Sequence, residues 1–326
     1  SMIRIGLTGE FWPERAFVGV LLSLPVGPLM VMDRSSLDSA PTFPRYGDRL
    51  QVLSVLVALG VRVLDSLSLG LGTSLLAGSH LNLALGVPAL SDRTAEMDFT
   101  YKLSPVAALV AGVSWKPWRT LQLGLTYRMA LFHKLQGTLD TTLDLVGVQA
   151  DILVGFEGVM WYTPHQLAFG VSYRFWDRLD LSADLTWYQW SGYPGPYVHL
   201  TILNSATAAL LKVPEPYEAE YSDIVVPRVG VAYQIGSRFV SRAGYAYCPT
   251  PAPLPQGTAN AVDSSKHVLA TGGGVEILRG PRWPLSLRVD LSVALHLLGD
   301  ANRGAALKWG GKPVSYTHLT LPTNRV

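Results

Sequence analysis

The stretch "LDLSADLTW", Leu179–Trp187, decides the fold. Its odd positions are Leu179, Leu181, Ala183, Leu185 and Trp187, and its even positions are Asp180, Ser182, Asp184 and Thr186. A period of two puts the apolar side chains on one face of a strand and the polar ones on the other. The same pattern recurs. In Leu285–Leu297 the odd positions are all Leu or Val, while Ser286, Arg288, Asp290, Ser292 and His296 face the other way. In Leu121–Met129 the even side reads Gln122, Gly124, Thr126, Arg128.

Four segments repeat one plan of strand, tight polar turn and second alternating strand. They begin at Val52 ("VLSVLVALGVRVLDSLSLGLGTSLL"), Ala107 ("AALVAGVSWKPWRTLQLGLTYRM"), Gln166 ("QLAFGVSYRFWDRLDLSADLTWYQW") and Pro227 ("PRVGVAYQIGSRFVSRAGYAY"). Their turns, Leu64–Ser66, Lys116–Arg119, Trp176–Arg178 and Ile235–Arg238, are short. Other connections are long: Arg34–Asp48, Gly78–Thr100, Gly137–Gly147, Tyr193–Ser222 and Pro249–Ser265.

Two architectures satisfy strands with one apolar face. A soluble sandwich joins its apolar faces in a core, whereas an outer-membrane barrel turns them to lipid and lines a lumen with the polar faces. Three features favour the barrel. Short turns alternate with long loops, as periplasmic turns and extracellular loops do. Trp115, Tyr173 and Tyr233 precede short turns, while Tyr127, Trp187 and Tyr245 lie near long-loop ends, making two interfacial girdles. The strands also run longer than the roughly five or six residues typical of soluble sheets.

The totals agree. Of 326 residues, 48% are hydrophobic and only 15% charged, with mean hydropathy +0.24; a soluble domain carries about 25% charge. No uninterrupted apolar run approaches the ~18 residues of a spanning helix, so a membrane reading requires strands. Net charge is +2 with signs interspersed, which leaves no nucleic-acid footprint. Cys248 stands alone, so there is no intrachain disulfide.

Several motifs resemble the FadL-type outer-membrane transporters, the family of long-chain fatty acid and aromatic-hydrocarbon channels. They are Gly170-Val171-x-Tyr173, the run from Asp184 through Trp187 to Trp190-Ser191, and Arg242-Ala-Gly244-Tyr245-x-Tyr247 followed by Thr250-Pro251. "AGVSWKPWRTLQLGLTYR" is similar to a further family hairpin, and the likeness spans roughly Ala16 to Leu297. The resemblance implies an all-β, antiparallel transmembrane barrel, about fourteen strands in the family and roughly a dozen here. It implies a monomer in the outer membrane of a Gram-negative bacterium, with an N-terminal hatch. It also implies passive uptake of hydrophobic small molecules or fatty acids, with outer-membrane lipid and lipopolysaccharide as surroundings. A porin-like or structural barrel is the alternative. In counting strands, Asp151–Phe175 is read as one long descending strand containing Pro164. Residues 1–313 are then a partial barrel lacking hatch, first strand and last strand. Residues 314–326 are not native, because Val314–Thr323 reads as one translation frame of a transposon-end sequencing adapter.

No cofactor or metal is expected. The seven histidines lack ligand spacing, and no Gly-x-Ser-x-Gly elbow or phosphate loop occurs. Ser292 and His296 on one strand are separated by about 13 Å, too far for a nucleophile and its base. Gly272–Gly274 reads as close backbone packing inside a strand.

The polar faces carry Arg62, Arg128, Arg174, Arg228, Arg242, Arg288, Asp180, Asp184, Asp290 and Glu276. Turned inward they avoid the ~2–4 kcal/mol cost of Arg or Lys at a lipid-facing midplane, and ion pairing within the wall is expected for most. Arg128, Arg242 and Arg288, with Tyr188 and Trp190, are the candidates for cargo contact, since a guanidinium binds a carboxylate bidentately. Pro25, Gly27 and Pro28 interrupt an ascending strand, and in the resembling family a kink there opens a lateral gate. Thr201–Val213 has the spacing of a short amphipathic helix.

Overall fold

Leu179–Trp187 does form a strand, at the centre of a large antiparallel sheet. The computed structural model describes residues 2–25, 53–77, 79–88, 94–103, 105–145, 148–195, 199–203, 220–253, 263–278 and 287–299. Its strands in chain order are β1 (Met2–Trp12), β2 (Ala16–Pro25), β3 (Ser54–Leu64), β4 (Leu67–Leu76), β5 (Ser79–Pro88), β6 (Thr94–Leu103), β7 (Val106–Trp118), β8 (Leu121–Arg128) and β9 (Leu131–Leu145). They continue as β10 (Val148–Thr163), β11 (Gln166–Phe175), β12 (Leu179–Tyr188), β13 (His199–Ile202), β14 (Ile224–Ile235), β15 (Phe239–Cys248), β16 (Lys266–Leu278) and β17 (Leu287–Leu298). Twelve of them make one sheet, ordered β1-β2-β3-β4-β7-β8-β11-β12-β14-β15-β16-β17. The other five form a second sheet, β13-β10-β9-β6-β5. Among the described residues β1 and β17 each pair on one side only.

The large sheet supplies the dozen strands that the alternation implies. Its outward face is apolar and uncovered: Leu71 is 60% exposed, Leu185 51%, Val229 54% and Leu291 68%. A sandwich would bury these side chains. The buried hydrophobic cluster is small, Leu76, Ala108 and Leu131 with Val106 and Trp161 packed against it. It lies at the outer end, where β9 and β10 leave the large sheet.

Turn chemistry fixes the register. Trp176 and Asp177 both take positive φ, 47° and 56°, between β11 and β12, the mirror-image turn whose twist matches antiparallel strands. From there Phe175 pairs with Leu179, and the ladder runs unbroken to Gln166 with Tyr188.

Three expectations need correcting. Asp151–Phe175 is not one strand: it divides at Pro164 and His165 into most of β10 and all of β11, which lie in different sheets. Proline cannot donate to a ladder, so pairing changes partners there. The expected loops Gly78–Thr100 and Gly137–Gly147 contain most of the β5–β6 hairpin and the tip of the β9–β10 hairpin, which extend the fold beyond the barrel strands. Thr201 and Ile202 belong to β13, paired with Gly155 and Val154, rather than to a helix; residues 204–213 lie outside the described residues. Met2–Trp12 forms β1. Residues 314–326 also lie outside the described residues.

Candidate functional site

The inner face of the large sheet combines bare glycine rows with paired charges. Register places Gly60, Gly70 and Gly112 side by side on β3, β4 and β7. It likewise sets Gly124 opposite Gly170, and Gly230 opposite Gly244. A Cβ at Gly124 would meet nothing within 4 Å, so the wall there borders open space. Elsewhere the glycines permit close strand approach. At Gly72 a Cβ would stand 2.6 Å from the Val57 carbonyl oxygen, and at Gly272 2.6 Å from that of Leu291.

The charges satisfy one another, as expected of a stiffened wall. The Arg174 Nε donates to Asp180 Oδ1 at 2.7 Å, its register partner across the β11–β12 ladder. The Arg228 Nη1 donates to Asp184 Oδ1 at 2.7 Å and Thr186 Oγ1 at 2.8 Å, and Nη2 donates to the Tyr188 hydroxyl at 3.0 Å. Asp184, Thr186 and Tyr188 are successive inner positions of β12, so one guanidinium ties three rungs. Arg242 Nη1 reaches Asp290 Oδ1 at 2.6 Å, from β15 to β17 across β16. The inner positions of β16 beneath it are Gly272, opposite Arg242, and Gly274, opposite Asp290. Absent side chains leave the corridor for that bridge.

The sequence candidates therefore separate. Arg242 is committed to Asp290, and Tyr188 accepts from Arg228. Arg288 stands in β17 opposite Glu276. Arg128, at the outer end of β8 opposite Val110 and Gln166, forms no ion pair among the described residues. Arg62 lies over the Phe17 ring at 6.0 Å. Pro25 is the last described residue of β2, paired with Met2, while Gly27 and Pro28 lie outside the described residues.

Trp190 belongs to a site that the strand pattern could not show. The chain leaves β12 through a single 3-10 turn, Trp190–Gly192, held by the Ser191 N–H donating to Asp223 Oδ1 at 3.0 Å. Around it four half-buried rings converge from separate segments. Tyr162 lies 5.7 Å from Trp190 and 4.9 Å from Tyr193, and Tyr221 lies 4.8 Å from Tyr193. Burial, and then the Asp223 carboxylate, hold the Tyr162 phenol above its ordinary value, so it stays neutral. Beside this nest is a cavity of about 330 Å³ bordered by Lys134, Glu157, Val159, Pro194, Gly195 and His199. The nest is an aromatic surface that follows Tyr188, the last inner position of β12, along the chain.

The comparisons with known proteins identify this arrangement. Residues 45–281 match the family described as outer membrane protein transport protein (OMPP1/FadL/TodX). The chain belongs to that family. Among solved structures it is similar to a Pseudomonas aeruginosa FadL homologue, at 18% identity over 91% of this chain and 70% of that one, with a TM-score of 0.58. It is also similar to the toluene transporter TodX of Pseudomonas putida, at 15% identity over 90% of this chain and 75% of that one, with a TM-score of 0.51. No curated protein matches the chain. The fold is that of a FadL-type transmembrane β-barrel and the location is the Gram-negative outer membrane; family members are transport channels, not enzymes.

The Arg228 network is open to a direct test. Arg228→Met leaves the Asp184 carboxylate without its cation in a wall whose two side chains are 37% and 38% exposed. Partial exposure discounts the loss to about 1–2 kcal/mol of unfolding free energy. Removing both partners, with Asp184→Leu added, is expected to recover most of it. Denaturant unfolding of the protein in lipid vesicles measures both values.

Proposed function

We propose that this protein takes up hydrophobic molecules passively, long-chain fatty acids or hydrocarbons, through its lumen and a lateral opening into the membrane. The observation that carries the reading is that Arg174, Arg228 and Arg242 are each paired within the wall. Together with the glycine rows, these pairs leave a bare, largely neutralised surface that offers a dissolved ion little. The aromatic nest gives an apolar molecule a place to leave water, and burial of such surface is worth about 25 cal/mol per Å². The toluene carried by TodX is cargo of this kind. Arg128 suits the carboxylate of a fatty acid where the cargo has one.

The exit is placed near the end of β2. Among the described residues its pairing with β3 runs as far as Ser23 with Ser54, and Leu24 and Pro25 pair with β1. Pro25 has no N–H for a ladder, which supports a side opening at this point.

The test is uptake by whole cells of a host lacking channels of this family, with labelled oleate, toluene and a disaccharide as probes. Expression is expected to accelerate oleate or toluene and leave the sugar unchanged. Trp190→Ala, which opens the aromatic nest, is expected to slow the apolar cargo several-fold, each lost ring contact being worth about 0.5–1.5 kcal/mol. Faster sugar uptake without faster oleate or toluene would establish the porin-like alternative instead.

A further inference from the structure

Two Tyr–His pairs on the lipid-facing side share one geometry. The Tyr127 hydroxyl lies 2.7 Å from His165 Nδ1, with ring centroids 5.9 Å apart and planes at 21°. The Tyr245 hydroxyl lies 2.8 Å from His267 Nδ1, with centroids 6.0 Å apart and planes at 26°. In each case the histidine stands two residues before the register partner of the tyrosine, Leu167 and Leu269 respectively. Those partners are exposed with the outward leucines, at 42% and 46%.

Both pairs stand at the same place along their strands. Tyr127 is the seventh residue of β8, counted from Leu121, and Tyr245 the seventh of β15, counted from Phe239. Each of these strands rises from a short turn. Below the first pair the next outward residue is Leu125; below the second, Ala243 and Leu269 come first and the small polar Ser241 and Thr271 follow. Above them the long connections begin. The pairs thus mark the upper border of the apolar band, where lipid tails give way to headgroups.

At His165 a third contact assigns the tautomer, and the matched geometry of the second pair carries the same assignment to His267. The Ala130 N–H donates to His165 Nδ1 at 3.2 Å. A backbone amide can only donate, so Nδ1 accepts and the ring proton sits on Nε2. The Tyr127 hydroxyl lies 2.7 Å from the same nitrogen and shares its single lone pair with the amide, which holds the ring in place. The Nε2–H is left directed away from the pair, with no hydrogen bond among the described residues. At this border the acceptors on offer belong to lipid headgroups. The outer leaflet of the Gram-negative outer membrane is a phosphorylated glycolipid, and phosphate is a strong hydrogen-bond acceptor.

We propose that the Tyr127–His165 and Tyr245–His267 pairs are two glycolipid headgroup sites, each offering an imidazole Nε2–H to a phosphate oxygen. The tyrosine is the positioning residue and the histidine the contact. Four strand spacings separate the tyrosines, about 19 Å or more around the wall, so each pair takes its own headgroup. They are anchors that fix the height of the barrel in the leaflet and occupy lipid beside it.

The experiment is native mass spectrometry of the full chain in detergent micelles, with added lipid A in its phosphorylated or dephosphorylated form. Wild type is expected to retain two phosphorylated lipids and no dephosphorylated ones. His165→Asn or His267→Asn is expected to retain one lipid, and the double variant none, because asparagine places its amide where Nδ1 was. His165→Gln with His267→Gln places an N–H near the Nε2 position and is expected to restore retention. These side chains face outward, and circular dichroism of the sheet confirms that each variant folds. Equal retention of the dephosphorylated lipid, unchanged retention in the double asparagine variant, or no retention by wild type overturns the proposal.

Discussion

Gly124→Trp is expected to leave the protein folded and to cut uptake of its cargo by about tenfold or more, since passage follows the free width of the lumen. Position 124 is the inner-face glycine whose added Cβ touches nothing within 4 Å. Its register neighbours are Ser114 on β7 and Gly170 on β11, both small. An indole there lies over a bare floor and projects into the path of cargo, without displacing a neighbour. The measurement is oleate or toluene uptake by cells expressing equal amounts of each variant. Gly124→Ala is the control and should keep uptake near that of wild type. Unchanged transport in Gly124→Trp would mean that cargo does not pass this part of the wall.

Gly272→Ala is expected to act in the opposite way, costing about 1–3 kcal/mol of stability through overpacking. Its new methyl carbon would stand 2.6 Å from the Leu291 carbonyl oxygen and 2.8 Å from the Ser292 Cβ. Both belong to the neighbouring strand, and one is backbone, so β16 and β17 must part. Parting them also disturbs the bridge from Arg242 to Asp290 that passes over this glycine. Gly72→Ala meets the Val57 carbonyl oxygen and the Ala58 Cβ in the same manner, and a loss of similar size is expected. The midpoint of denaturant unfolding in vesicles measures both. A midpoint unchanged at either position would mean that the sheet relaxes there at little cost.

Gly72, Gly124 and Gly272 look alike in a sequence, each alternating with outward residues along a strand. Their spacing says only that they face inward. Which of them borders open space depends on the carbonyl of a neighbouring strand, and that position is set by the local twist and stagger of the pair. The same holds for the charges. Alternation placed Arg174, Arg228 and Arg242 on the inner face, and pairing with some acid was expected. The partners Asp180, Asp184 and Asp290 follow from register. The route of Arg242 across β16 follows from two glycines on a strand between.

One signal was present and misread. Pro164 already argued against one continuous strand from Asp151 to Phe175, because its missing N–H breaks a ladder. The aromatic nest had no comparable signal. Tyr162, Trp190, Tyr193 and Tyr221 come from the end of β10, the turn after β12 and the chain returning to β14, and no local period connects them.

The sequence by itself determined that the chain crosses the membrane in strands, which face of each strand meets lipid, and where the short turns fall. Those properties depend on a two-residue period and on turn residues, both local. The tertiary structure alone decided the division into a twelve-stranded wall and a five-stranded outer sheet, the ion-pair partners and the two matched Tyr–His pairs. Each of these depends on which strands lie side by side and with what stagger. That is settled by the mutual fit of segments far apart in the chain, and a period read along one strand does not contain it.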